Sequence, residues 1–220
     1  VIALIRQTLL DADWYYNSTQ IIEKYPEQNP LIPFHPSLSE LSDFRMNRKP
    51  ILFVTKEEHG ALRSLKIADE FNLNPWILGS GYEYRRLNLI AELNPFIIFP
   101  LDFPAKPKVK DPYLALQYST EQLKHWDMAP DNILKVFDKG LRFGLTSGTL
   151  KNKKEFRVNL QRIIDRGLPK SVALSALTTF PAEAMGVEKT MGKIQSGYIA
   201  NLVITDGDYF NPKSLSLIHI

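Results

Sequence analysis

The chain has 220 residues, 44% hydrophobic and 23% charged, with 27 basic residues against 24 acidic ones. That is an ordinary globular composition, long enough for one or two domains with a buried core, and neither disordered nor fibrous. Cysteine is absent, which excludes disulfides and thiolate metal sites. The basic runs KPKVK (106–110) and KNKK (151–154) are short and sit in turn-like contexts. They read as solvated loops, and no broad basic stripe points to nucleic acid. No apolar run reaches the ~18 residues of a membrane span.

In chain order, the first segment spaces Ile2, Leu4, Ile5, Leu9, Trp14, Tyr15, Ile21 and Ile22 roughly as a helix does. A helix that starts at residue 1 without a cap reads as cut from a longer chain. PILFVT (50–55) is a short apolar strand, and Leu62, Leu65, Ile67, Ala68 and Phe71 then share one helical face. NPWILGSG (74–81) is a second strand with a glycine turn, followed by a helix with Leu87, Ile90 and Leu93. NPFIIFPLDFP (94–104) is a third strand running into a proline-rich loop. STEQ (119–122) is a capping box opening a helix. DNILKVFDKG is a helix closed by Gly140, LRFGLTS (141–147) a fourth strand, and KKEFRVNLQRIIDRG a helix ended by Gly167. The tail SLSLIHI, with His219, alternates like a strand but has no return strand to pair with.

Apolar strands each followed by a helix imply parallel β-α units. Two architectures fit: an open doubly wound sheet, or part of a (β/α)8 barrel. Dinucleotide binding fails, because Gly79 and Gly81 are followed by Tyr84 where a third glycine belongs.

The stretch LTTFPAEAMGVEKTMGKIQSGYIANLVITDGD (177–208) decides between them. It resembles the C-terminal signature of the amidohydrolase superfamily, in particular its imidazolonepropionase-like branch. The pattern T-x-x-P-A-x-x-x-G followed by a G-x-I-x-x-G-x-x-A-x-L-V hairpin is matched by Thr178 or Thr179, Pro181, Ala182, Gly186, Gly192, Ile194, Gly197, Ala200, Leu202 and Val203. LKIADEF (65–71), PLDFPAKPKVKDP (100–112), LKHWDMAP (123–130) and FGLTSGTLK (143–151) are also similar to stretches of that family. Pro181 suits a first helical turn, Gly186 a helix end, and Gly192 and Gly197 turns with positive φ.

The resemblance implies an α/β fold: the C-terminal half of a (β/α)8 barrel, strands five to eight, over residues 1–185. Residues 186–220 would be part of a small β-sandwich. It also implies that barrel strands one to four, with an H-x-H motif, are missing and make up the natural partner. A second, competent amidohydrolase domain is a further implied partner. Related sequences are often exported, so a periplasmic or exported setting is implied. The small-molecule substrate is unspecified.

Active members of the family hold divalent metal, zinc in particular, at the C-terminal mouth of the barrel. The metal activates water, and an Asp ending strand eight takes the proton. The other ligands there are His residues ending strands five and six. In this chain those places hold Val54 or Thr55, Leu78 or Gly79, and Gly148. Val, Leu and Gly have no ligating side chain, and a neutral Thr is a poor substitute for imidazole or carboxylate. The expected reading is therefore a catalytically degenerate amidohydrolase-like domain, with no cofactor of its own, serving as scaffold or partner. A hydrolase of non-peptide C–N bonds with metal held by residues outside this chain, and a non-catalytic ligand-binding module, are the alternatives.

The remaining residues expected at the mouth are Thr55, Glu57, His59, Gly79, Ser80, Tyr82, Glu83, Asp102, Thr146 and Ser147. Asp102 follows the third strand directly. Glu83 follows a glycine-rich turn that would let a ligand approach, although a carboxylate there also suits a helix N-terminus. Glu58 also follows a strand end. His59 reads as an exposed helix-start residue, His125 as packing or capping, and His35 as a loop residue. Trp76, Tyr82, Tyr84 and Phe103 are core aromatics by default and pocket residues by exception.

Overall fold

The computed structural model describes residues 1–28 and 30–219. They divide into two compact units, residues 1–51 with 64–75, and residues 52–63 with 76–220.

The first unit is built on two helices, α1 (Ile2–Lys24) and α2 (Pro36–Met46). α1 buries Leu9, Ala12 and Tyr15, three residues apart on one face. The wider apolar set expected for this helix is not all core: Leu4 is 70% exposed and Trp14 59%. Polar bonds tie the pair together. Ser42 donates to the Ala12 carbonyl, and Arg45 reaches the Leu9 and Phe71 carbonyls and the Asp13 carboxylate. His35, expected in a plain loop, caps α2 by accepting from the Leu38 amide at 3.3 Å.

β1 (Pro50–Val54), α3 (Glu58–Glu70) and β2 (Asn74–Leu78) each begin in one unit and end in the other. A short 3-10 turn (Glu83–Arg85), α4 (Leu87–Glu92) and β3 (Phe96–Pro100) come next. They are followed by α5 (Pro112–Ala115), α6 (Thr120–Met128), α7 (Asn132–Asp138) and β4 (Phe143–Thr146). The four strands form one sheet in the order β1-β2-β3-β4. β2 and β3 pair in parallel with Trp76 opposite Phe96, and β3 and β4 with Ile97 opposite Phe143. This α/β arrangement, with strands adjacent in sequence order, is that of a partial (β/α) barrel. The two faces of the sheet differ. Along β3, Ile97 and Phe99 are buried while Phe96, Ile98 and Pro100 are only half-buried. The Phe99 and Phe143 rings meet edge to face at 5.8 Å on the buried side.

The expected helix signals are present. Ser119 and Gln122 form both bonds of a capping box at α6. α8 (Glu155–Asp165) buries Leu160 and Ile163 at helical spacing. α9 (Lys170–Leu177) and α10 (Thr179–Ala184) follow, and α10 lies against β4: Phe180 meets Phe143 at 6.2 Å, and Arg142 pairs with Glu183.

Two expectations for the C-terminal segment are corrected. Residues 187–202 form turns rather than a paired-strand hairpin. The Ile199 amide donates to the Thr190 carbonyl and the Tyr198 hydroxyl to the Glu188 carbonyl, while Ile194 stays 90% exposed, so no apolar face draws the segment into a sheet. The tail does find a return strand: β6 (Ser216–His219) pairs antiparallel with β5 (Val203–Thr205), His219 opposite Val203. Arg157 fastens this part to α8 by donating to the carbonyls of Tyr209, Asn211 and Ser214.

Gly192 has no freedom to be anything else. Its φ is +88°, and a Cβ there would lie 2.8 Å from the Ala182 Cβ and 3.0 Å from the Thr178 carbonyl oxygen. Gly192→Ala should therefore cost about 2–4 kcal/mol, from the left-handed backbone and the overpacking together. Urea unfolding of the two proteins measures it, and a loss under 1 kcal/mol (about fivefold in the equilibrium) would contradict the packing described.

Candidate functional site

In parallel β-α folds the loops at the C-terminal strand ends carry the chemistry. Each strand end poses one question: which of two neighbouring residues faces the helices and which the open face of the sheet. The side chain of Thr55, just past β1, faces α3, because a Cβ on Gly60 would lie 3.4 Å from the Thr55 Cβ. The Thr55 hydroxyl donates to the Leu78 carbonyl at 3.4 Å. Val54 therefore points the other way, and it is 71% exposed. At the end of β2, a Cβ on Gly79 would sit 2.7 Å from the Phe99 ring, so no side chain fits there without moving a buried aromatic. Leu78 takes the half-buried opposite face. The two open-face positions at these strand ends are thus Val54 and Leu78, neither of which ligates metal.

At the end of β4, the Thr146 hydroxyl accepts from the Gly148 amide at 3.0 Å, and the Ser147 carbonyl accepts from Lys153. Gly148 is exposed and offers no side chain. Among the described residues, no group of three or more His, Asp or Glu gathers closely enough to hold a metal ion. The donor set here, valine, leucine and glycine with a threonine already hydrogen-bonded, does not fit a hydrolytic zinc centre, which wants three His or carboxylate ligands.

Glu83 is the most enclosed ionisable residue of the region, with 0% exposure. One carboxylate oxygen accepts from the Ser80 amide at 2.6 Å and the Ser80 hydroxyl at 2.9 Å. The other accepts from the Gly81 amide at 3.0 Å and from Asn132 Nδ2 at 2.7 Å. Asn132, itself buried, also accepts from the Tyr84 amide at 2.7 Å. The carboxylate thus staples the strand-end turn to α7, with all four contacts internal to the protein.

Beside the turn lies a stack of three side chains. The His125 ring lies 3.6 Å from the Tyr82 ring at an interplanar angle of 12°, and Arg85 sits 4.4 Å from the Tyr82 centroid. Arg85 pairs with Glu121 at 2.8 Å and with the buried Glu58 at 3.6 Å. His125 is 8% exposed. Burial, and then the charge of Arg85, push it below its ordinary value of 6.5.

The other expected residues are placed as follows. Glu57 is exposed and pairs with Arg63 at 3.1 Å. His59 is 52% exposed, 4.0 Å from Glu58. Asp102 is exposed just beyond β3 and lines a cavity of about 30 Å³ together with Ser80 and His125. Ser80, Tyr82, Glu83, His125 and Asp102 are thus brought together; Thr55, Glu57, His59, Thr146 and Ser147 join no such group. Sequence reading missed Asn132, whose role no local signal announces, and Arg85, whose spacing to Glu58 and Glu121 is visible only in three dimensions. A larger cavity of about 650 Å³ beside α9 has Lys193 and Tyr209 as its titratable lining groups, with no carboxylate or imidazole among them.

No family model matches the chain. The curated amidohydrolase tasK of Hapsidospora irregularis is 30% identical over 74 residues, which are 33% of this chain and 8% of that protein. The solved amidohydrolase from Thermotoga maritima MSB8 is similar over 98% of this chain and 52% of its own, with a TM-score of 0.77 and 21% identity. A Xaa-Pro dipeptidase solved with methionine in its active site is similar over 76% of this chain and 41% of its own, with a TM-score of 0.54 and 15% identity. The chain therefore spans about half the length of the solved amidohydrolase. The architecture is part of a (β/α) barrel. The fold is that of the solved amidohydrolase, and the similarity to amidohydrolases expected from the sequence is found in both comparisons.

Two outcomes follow from the geometry. Glu83→Gln puts an amide N–H₂ against donors, because both carboxylate oxygens accept from N–H groups. It should cost about 2–4 kcal/mol in urea unfolding, nearly as much as Glu83→Ala. A neutral result would show the staple to be idle. For His125 the sign is set by its lowered value. Folding favours the neutral ring, so its contribution is fully present above pH 6.5. As the pH falls below that, the unfolded chain takes the proton first and stability drops until the folded value is passed. Unfolding midpoints measured from about pH 7.5 to about pH 5 should fall less steeply in His125→Gln than in the parent. Equal slopes would remove His125 from the pH response.

Proposed function

We propose that this chain supplies the second half of an amidohydrolase-type barrel whose metal-binding positions have been given up. It serves as scaffold or partner to a competent amidohydrolase domain rather than as a hydrolase itself. The observation that carries this reading is the orientation of Val54 and Leu78. They stand on the open face at the first two strand ends, where the resemblance expects histidine ligands. The alternatives at those ends do not rescue a metal site. Thr55 is turned toward α3, and the space beside Gly79 is filled by Phe99.

The partner half is proposed on physical grounds. Leu52 is 48% exposed and Val54 71%, both apolar and on the open side of a terminal strand of the sheet. A sheet edge and an apolar face of this kind are stabilised when another part of a barrel closes over them.

The names of the relatives point to hydrolysis of C–N bonds, so the test is direct. The chain, purified without chelator, should carry far less than stoichiometric zinc or iron after dialysis. It should not hydrolyse amide, lactam or Xaa-Pro dipeptide substrates above background. Stoichiometric zinc with chelator-sensitive hydrolysis would overturn the proposal in favour of a working hydrolase.

A further inference from the structure

The Nδ1 atom of His125 is buried and has no hydrogen-bond partner among the described residues. An unpaired buried polar atom costs on the order of 1–3 kcal/mol, so it calls for an explanation. The ring cannot swing out to find a partner. It is 8% exposed and held flat against Tyr82, whose ring lies 4.4 Å from the Arg85 guanidinium. It does line the cavity of about 30 Å³ with Ser80, Gly81, Pro100, Asp102 and Asn132. That volume suits one water-sized group.

The polar walls of this cavity are mostly committed. The Asn132 amide donates to Glu83 and accepts from the Tyr84 amide. The Ser80 hydroxyl donates to Glu83 and accepts from the Tyr82 amide. Among the side chains of the lining residues, what remains is accepting capacity: the unpaired Nδ1 of His125 and the carboxylate of Asp102, which is exposed. Burial and Arg85 both favour the neutral imidazole, which keeps a lone pair to accept with. The same Arg85 charge disfavours a cationic guest.

We propose that this cavity is a subsite for one neutral hydrogen-bond-donating group, accepted by His125 Nδ1: a water in the free protein, and the hydroxyl or amide N–H tip of a small ligand when one binds. The subsite lies beside the strand-end turn and does not depend on whether the barrel hydrolyses anything.

Nitrogen-15 NMR of the histidine rings in the full chain tests it, with water-to-ring NOE measurements and with acetamide and ethylene glycol as probes. Protonated Nε2, an accepting Nδ1 and a water NOE at the His125 ring are expected. Saturable shifts of that ring with either probe, with loss of the water NOE, would establish the ligand role. A water NOE that persists unchanged at saturating probe would support the water and overturn the ligand role. A protonated Nδ1, or neither a water NOE nor a probe response, would overturn the whole proposal. His125→Phe keeps the stack and removes the acceptor, so it should abolish both signatures. If that variant does not fold, the measurements on the parent chain decide alone.

Discussion

Successive side chains of a strand point to opposite faces, and in this sheet that alternation governs everything else. One face carries Ile97, Phe99 and Phe143 into a packed core, and the other carries Phe96 and Ile98 to a half-covered side. Because the period is two, a strand-end residue and its neighbour cannot both face the same way. Phe99 enforces this at the end of β2, where its ring fills the space beside Gly79 and leaves Leu78 as the residue on the open face. The packing thus determines which side chains the ends of β1 and β2 present on the open face, and those two are Val54 and Leu78.

Two charged residues, Glu83 and Arg85, hold the strand-end turn together. A buried carboxylate is costly unless its oxygens are filled with donors. Glu83 has four donors, and through them it sets the conformation of the turn and ties it to α7. Arg85 plays the matching part on the outer side, bridging Glu58 and Glu121 while packing on Tyr82. A carboxylate committed in this way is poorly suited to proton transfer, since each lone pair it would use is already occupied. Of the acid–base candidates in the sequence, Glu83 is the one built into the turn, and His125 beside it has a buried Nδ1 without a hydrogen-bond partner among the described residues.

Much of the fold was legible because local rules dominate it. The capping box at Ser119, the strands around Trp76, Phe96 and Phe143, and the positive φ of Gly192 and Gly197 follow from short patterns whose physics is confined to a few residues. The strand ends were legible only to within two residues. Choosing between Val54 and Thr55, or Leu78 and Gly79, needs the facing of α3 and of the Phe99 ring, and neither is encoded nearby. The tail was misjudged for the same reason: the partner of β6 is β5, separated from it by a loop whose shape depends on Arg157 of α8. In place of the hairpin expected at 192–203 the chain forms turns up to Val203, where β5 begins, and Ile194 is left 90% exposed. Asn132 was invisible because an asparagine at a helix start has many ordinary uses.

The central claim is the orientation of the strand ends, and the absence of cysteine makes it directly measurable. A single thiol introduced as Val54→Cys or as Thr55→Cys would be the only one in the chain, so its reaction rate with a maleimide reports that one side chain. The thiol at 54 should react at close to the rate of a free peptide thiol, and the thiol at 55 several-fold more slowly against α3. Equal rates, or faster reaction at 55, would place Thr55 on the open face and return a potential ligand to the barrel mouth.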